Sequence, residues 1–239
     1  MTGMQLRSHR KARGWTQTEL AERLGVSQGY VCLLERAQRP VPAALALKVA
    51  RLLNLPATAV PVGSASTVLA AEAATTALAT LGYPGFAYRR PRQRLNPAEV
   101  LLRTLRSTEL DARLVEALVW VAVKYADLDW DWVVRQAKVE DLQNRLGLLV
   151  TLARQVAEQN GHAEAVAPLT RTEQALEYSR LQREDSFRAS MTDTERRWLR
   201  QHRSQEANHW NVLTNLTASE PSQTFEKAAA LSASSAAAT

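Results

Sequence analysis

Along most of this 239-residue chain, apolar residues return every three or four positions, the period of a helix with one buried face. Thr16 to Arg36 shows the pattern in its shortest form. Leu20, Ala21 and Leu24 make one stripe, and Val31 and Leu34 make a second after a break. Gly25 stands at the break, where a helix ends most easily in a left-handed residue without Cβ. Ser27 follows as a cap for the next helix, and Thr16 with Glu19 has the spacing of a capping box. The segment predicts two short helices joined by a tight turn. That geometry can lay its second helix in a major groove. Pro42 opens a further helix lined by Leu45, Leu47, Val49, Ala50, Leu52 and Leu53, which Asn54 ends.

The same period resumes at Asn96, a cap followed by Pro97 and Glu99 at the favoured first positions. Asp111 to Ala126 carries a wide apolar face of Leu114, Val115, Leu118, Val119, Val121 and Ala122. Asp127 to Asp131 interrupts it, and Trp130, Val133, Val134 and Ala137 continue on another helix. Val139 to Asn160 predicts a long helix stopped by Gly161. Thr170 to Arg188 and Thr192 to Leu216 predict two more, the last placing Trp198, Leu199, Trp210 and Leu213 on its buried side. No segment alternates as a sustained strand does, so the predicted fold class is all-α, with about five helices in its second half.

Between the two halves, Ala57 to Leu95 is a shift in composition. An Ala/Thr-rich stretch, Ala65 to Leu81, suits one helix, and Gly82, Pro84, Gly85 and Pro91 then break structure. Arg89, Arg90, Arg92 and Arg94 cluster there; a solvated hinge is favoured over an arm that reaches DNA. From Ala218 the residues are small and polar. The expected organisation is a DNA-binding domain over 1–60, a linker over 61–95, a helical domain over 96–217 and a disordered tail over 218–239.

Charge sharpens this division. The net charge is +6. Met1 to Pro56 holds nine basic residues against three acids, and the remainder balances at 21 of each sign. The whole excess therefore lies on the segment whose helices suit DNA, where phosphates would need it. A single cysteine, Cys32, allows no intrachain disulfide. The first residues show no signal peptide, and the longest apolar run, Ala117 to Val123, is far too short to cross a bilayer. A cytoplasmic, nucleoid-associated setting is expected, with no membrane contact. Abundant Ala, Leu and Arg with few Lys looks like a chain from a GC-rich bacterium.

The order of these features over Met4 to Leu55 resembles the helix-turn-helix domain of phage repressors and of the Xre family of bacterial regulators. Gln17 begins the first motif helix, Leu20 and Ala21 are its core pair, Gly25-Val26-Ser27 is the turn, and Gln28 opens the recognition helix that Glu35 closes. The resemblance implies a five-helix, lambda-repressor-like domain and an Arg10–Glu35 pair across helices. It places base contacts at Ser27, Gln28, Gly29 and Leu33. Gln28 is the best reader, because a terminal amide can bond an adenine edge twice. Leu33 can offer a thymine methyl only apolar contact, and many relatives are polar there. Gln17, Arg10, Arg36, Gln38 and Arg39 would contact the DNA backbone, Arg10 being largely structural instead if it pairs with Glu35. A domain of this size grips few base pairs, so a homodimer on two half-sites of double-stranded DNA is expected.

The implied function is a sequence-specific transcriptional regulator, by analogy an autoregulating repressor or the antitoxin or control subunit of a toxin or defence operon. The helical half would dimerise, bind a protein partner or sense a small effector. An alternative is a partner-binding protein that uses its DNA domain only as a tether. No enzyme, metal or cofactor is expected: His9, His162, His202 and His209 lack ligand spacing, and no phosphate-cradling loop or nucleophile elbow is present. Arg197 and His202 form an R-x4-H string that looks like that of HEPN-type ribonucleases, with a solvated helix face as the favoured account. Tyr30 touches DNA backbone or merely shields its helix. Cys32 reads more readily as a small inert hydrophobe than as an oxidant sensor. Asp127, Asp129 and Asp131, interleaved with Trp130 and Trp132, read more simply as an acid-rich helix start than as a partner-binding edge.

Overall fold

Local capping chemistry sets where most helices begin. In the computed structural model, which describes residues 1–63, 67–90 and 95–225, the chain divides into two units, Met1–Ser64 and Ala65–Thr239.

The first unit contains α1 (Gly3–Ala12), α2 (Gln17–Leu24), α3 (Gln28–Glu35) and α4 (Ala43–Leu52). Where the resemblance implies a fifth helix there is a single 3-10 turn, Ala57–Ala59. Thr2 with Gln5, and Thr16 with Glu19, form reciprocal capping boxes, and the Ser27 hydroxyl accepts from Tyr30 N–H. Gly25 ends α2 at φ 71° and ψ 38°, a left-handed conformation that glycine adopts without a Cβ penalty. Lys48 Nζ, on α4, donates to the Leu24 carbonyl at 2.6 Å and satisfies an orphan acceptor at the same helix end. Leu6, Leu20, Leu34 and Val31 are completely buried and join Val49 and Leu53 in one core. Each such side chain contributes about 1.5–3 kcal/mol of burial.

The second unit is also helical. It comprises α5 (Ala71–Thr80), a 3-10 turn (Pro84–Phe86), α6 (Pro97–Leu105), α7 (Ala112–Lys124), α8 (Trp130–Val139), α9 (Gln143–Gln159), α10 (Ala163–Glu177), α11 (Asp193–His202) and α12 (Gln205–His209). Two-residue strands β1 (Asp185–Ser186) and β2 (Val212–Leu213) pair in parallel, and 219–225 is helical. The fold is all-α. α9 is its axis: Leu146, Leu149, Leu152, Ala153 and Val156 are buried, Glu158 and Gln159 stay exposed at its end, and it packs most heavily on α10 and α7. Among the described residues, no helix is long and apolar enough to cross a membrane.

Tertiary packing corrects several expectations. The stretch read as a linker is built into the second unit. Leu78 is fully buried, Tyr83 and Phe86 are 2% exposed, and the Tyr83 ring meets Trp120 edge-on at 5.6 Å. The small residues of α5 let it lie close to α6 and α7, with Leu78 as its anchor. Arg89 pairs with Glu72 at 3.3 Å and Arg90 is exposed, while Arg92 and Arg94 lie outside the described residues. The expected disordered tail begins instead with the 219–225 helix, whose Phe225 stacks on Trp120 at 6.2 Å; 226–239 lie outside the description.

Thr192 to Leu216 is three elements, because Arg203 turns extended and Ser204 caps a new helix. Of its expected buried side, Trp210 and Leu213 are buried, but Trp198 is 50% exposed and α11 buries nothing fully. The helix expected to start at Thr170 starts at Ala163, with Pro168 inside it, and ends at Glu177. The chain after it is held by Asn144, which donates to the Leu181 carbonyl at 3.0 Å and accepts from Leu181 N–H at 2.8 Å. This fully buried side chain supplies the partners that a continued helix would have supplied. The long helix expected from Val139 starts at Gln143, because Asp141 adopts φ 56° between α8 and α9.

Candidate nucleic-acid interface

The outer surface of α3 is assembled from a buried ion pair upward. Arg10 on α1 donates from Nε to Glu35 Oε1 at 2.6 Å and from Nη2 to Glu35 Oε2 at 3.0 Å. Its Nη1 donates to the Trp15 carbonyl at 2.5 Å. Burial works to raise the Glu35 pKa, but hydrogen bonds from Arg10 and Gln17 outweigh it and hold the carboxyl below its usual range. The Glu35 hydrogen bond in turn raises the Arg10 pKa. Both groups therefore stay ionised.

An ionised carboxylate can only accept, and this fixes two amides in sequence. Gln17 must turn its NH2 toward Glu35, and Nε2 donates to Oε2 at 2.9 Å. Gln17 Oε1 then faces outward and accepts from Gln28 Nε2 at 2.8 Å. One N–H of Gln28 is engaged. Its second N–H and its carbonyl oxygen remain, and they match the paired acceptor and donor of an adenine edge in the major groove. The relay delivers a side chain of set orientation at the exposed N-terminus of α3.

Ser27, Gln28, Gly29 and Leu33 all lie on the exposed side of this helix. Ser27 is its N-cap and Leu33 is 36% exposed. A Cβ at Gly29 would meet nothing within 4 Å, so its bare backbone leaves room for a closely approaching partner. Arg36, Gln38 and Arg39 follow α3 and are exposed, with the Arg39 guanidinium 5.9 Å from the half-buried Tyr30 ring. Gln17 is half-buried at the start of α2. Arg10 is the exception among the expected backbone contacts. It is 7% exposed and its guanidinium is engaged by Glu35 and Trp15, so it supports the interface from beneath instead of meeting phosphate. Cys32 is half-buried in α3.

Sequence reasoning passed over several supporting residues. A Cβ at Gly3 would lie 1.9 Å from the Leu34 carbonyl oxygen, so glycine is what lets α1 press against the end of α3. A glycine in a first helical turn, where propensity disfavours it, was the available signal. Arg13 donates from Nη2 to the Leu53 carbonyl at 2.6 Å, and Arg23 lies 4.3 Å from the Trp15 ring centroid. These two cations of the basic excess are thus partly engaged in holding the domain together.

The R-x4-H string lies on α11. Arg197 Nε donates to the Asp193 carbonyl at 3.3 Å, and His202 stacks on Trp198 at 4.3 Å with Nδ1 2.8 Å from the Trp198 carbonyl. Each group is tied to its own helix. Asp129 caps α8 through Trp132 N–H, and Trp130 is buried with Nε1 donating to the Ala126 carbonyl. No group of three or more His, Cys, Asp or Glu among the described residues is placed to hold a metal ion.

A family model described as a helix-turn-helix domain matches residues 3–61. No curated protein and no solved structure matches the chain. The matched segment coincides with the unit that carries the α2–turn–α3 geometry and the basic excess. The protein is a DNA-binding regulator with an N-terminal helix-turn-helix domain.

Proposed function

We propose that the protein is a sequence-specific transcriptional regulator of the Xre and phage-repressor type, acting by binding and not by catalysis. α3 enters the major groove, Gln28 reads an adenine, and Ser27, Gly29 and Leu33 line the contact. Gln17, Arg36, Gln38 and Arg39 hold the DNA backbone. The observation that carries this reading is the Arg10–Glu35–Gln17–Gln28 relay, which orients an exposed amide from a buried ion pair. One such unit spans few base pairs, so the active form is a homodimer on two half-sites, with the second unit supplying the dimer, partner or effector contacts. The setting that fits is an operon that the protein itself represses, with a toxin or defence partner encoded beside it.

Fluorescence anisotropy with the gene's own upstream DNA and with scrambled duplexes, at several salt concentrations, tests the proposal. Specific binding is expected, with the Gln28→Ala variant losing about 1–3 kcal/mol of discrimination, or roughly five- to 150-fold. Equal affinity for every duplex, unaltered in Gln28→Ala, overturns it and leaves a DNA tether.

A further inference from the structure

A groove of about 570 Å³ opens within the second unit, bounded by α7, the chain before α11, α11 itself and the segment from β2 to the 219–225 helix. This is the size of a small-molecule site, about 300–1,000 Å³. Its walls are mainly apolar: Leu110, Val115, Phe187, Met191, Leu213 and the half-exposed Trp198. None of these residues belongs to the DNA-reading surface.

The charged groups are unevenly arranged. Arg188 and Glu195 both line the groove and approach to 3.9 Å, so they offset each other. Glu116 and Glu220 remain. Burial raises the Glu116 pKa first, and the nearby Glu220 raises it further; Asp111 adds to this and Arg113 opposes it. Burial acts to raise Glu220 as well, but hydrogen bonds from Thr217, its own backbone and Ser219 prevail and hold it low. One carboxylate is thus firmly anionic, and beside it a second is penalised for ionising. A cation in this position would relieve the penalty, an anion would add to it, and an aromatic wall favours a cation further.

We infer that this groove binds a hydrophobic organic cation, with its apolar body against the Phe187, Met191 and Trp198 walls and its charged nitrogen or phosphorus between Glu116 and Glu220. The inference stands apart from the DNA reading, because the binding it predicts requires no DNA.

Isothermal titration of the full chain with tetraphenylphosphonium and with its isosteric anion tetraphenylborate separates charge recognition from greasiness. The cation should bind one per chain and at least about tenfold more tightly than the anion, as expected where like charge disfavours a ligand. Glu116→Gln and Glu220→Gln should each weaken the cation by about fivefold or more, and Trp198→Ala by a similar factor. Gln28→Ala should leave the titration unchanged. Glu116→Gln removes a penalised carboxylate and is expected to keep the fold, which circular dichroism verifies; Trp198→Phe, retaining an aromatic wall, should retain binding. No binding of the cation, equal binding of the two isosteres, or cation affinity unaltered in both glutamate variants overturns the inference. A failure of this kind leaves the regulator reading intact, and a failure of the duplex-binding assay leaves this site intact.

Discussion

Each unit contains a polar network rooted in buried side chains, and the two networks end in different chemistry. In the first, Arg10 and Glu35 anchor Gln17, and the chain of donors emerges at Gln28 on an exposed helix face. In the second, the fully buried Trp210 donates from Nε1 to Thr151 Oγ1 at 2.8 Å, Thr151 donates to Glu173 at 2.7 Å, and Arg154 closes on Glu173 at 2.6 Å. That network joins α9, α10 and the chain after α12, and it runs out through Arg154 to the exposed Glu158 at 2.9 Å, so its surface end is an ion pair and not an amide like Gln28. The same physics, saturated donors and acceptors around a carboxylate, orients a recognition surface in one unit and locks helices together in the other.

The comparison can be broken most severely at Glu35. Glu35→Gln removes the charge facing a buried Arg10 and should destabilise the first unit by about 3–5 kcal/mol, seen in urea unfolding. It should also blur base discrimination, because a neutral amide with one acceptor oxygen cannot serve Arg10 and Gln17 as the carboxylate does. Thr151→Val strikes the matching position in the second unit. It strands the Trp210 indole N–H, and a cost of about 1–3 kcal/mol is expected in the same assay. Here the intrinsic affinity of the helix-turn-helix unit for DNA should not change. If Thr151→Val alters base discrimination as strongly as Glu35→Gln does, the two networks are not separate in function.

Gly29→Ala tests the surface end of the first network. No neighbour opposes the added methyl, and helix propensity should stabilise the unit by up to about 1 kcal/mol. DNA binding should nevertheless weaken, because the methyl occupies the space beside Gln28. A variant both more stable and equally tight would remove α3's N-terminus from the contact.

The smallest effects are those of pH, and they differ in sign. Glu35 has a lowered pKa in the folded state, so its contribution is complete above the ordinary glutamate range and is lost as pH falls through the lowered value. Glu116 has a raised pKa, so its relative benefit holds below the ordinary range and is lost as pH rises through the raised value. Glu116→Gln should therefore slightly stabilise the second unit at neutral pH, where Glu35→Gln destabilises the first. Thermal melts of both variants at acidic and neutral pH check the two signs.

Much of the helical framework was legible because its signals are local. Caps at Thr16, Ser27 and Asn96 act over two or three residues, and Gly25 and Gly161 adopt positive φ where the apolar periods stop. The misread stretches lacked such signals or contained weak ones. Alanines and a Gly/Pro-rich run looked like a linker because nothing local shows that Leu78, Tyr83 and Phe86 have a core to enter. For the site, residue types pointed to the helix face, but burial separates Arg10 from the other cations, and burial is not a property of neighbouring residues in the chain.

The sequence by itself determined where the locally capped helices start, that the fold is all-α, and which segment carries the positive charge. Each depends on backbone capping within a turn or on summed composition. The Arg10–Glu35 pair, across 25 positions, was legible only through the resemblance, and tertiary structure alone decided the contacts of Asn144 with Leu181 across 37 and of Trp210 with Thr151 across 59. It also decided that Gly147 must lack a Cβ, which would stand 2.3 Å from the Trp210 ring. Such contacts arise only once helices pack, because close packing and the pairing of buried polar groups are constraints in space, not along the chain.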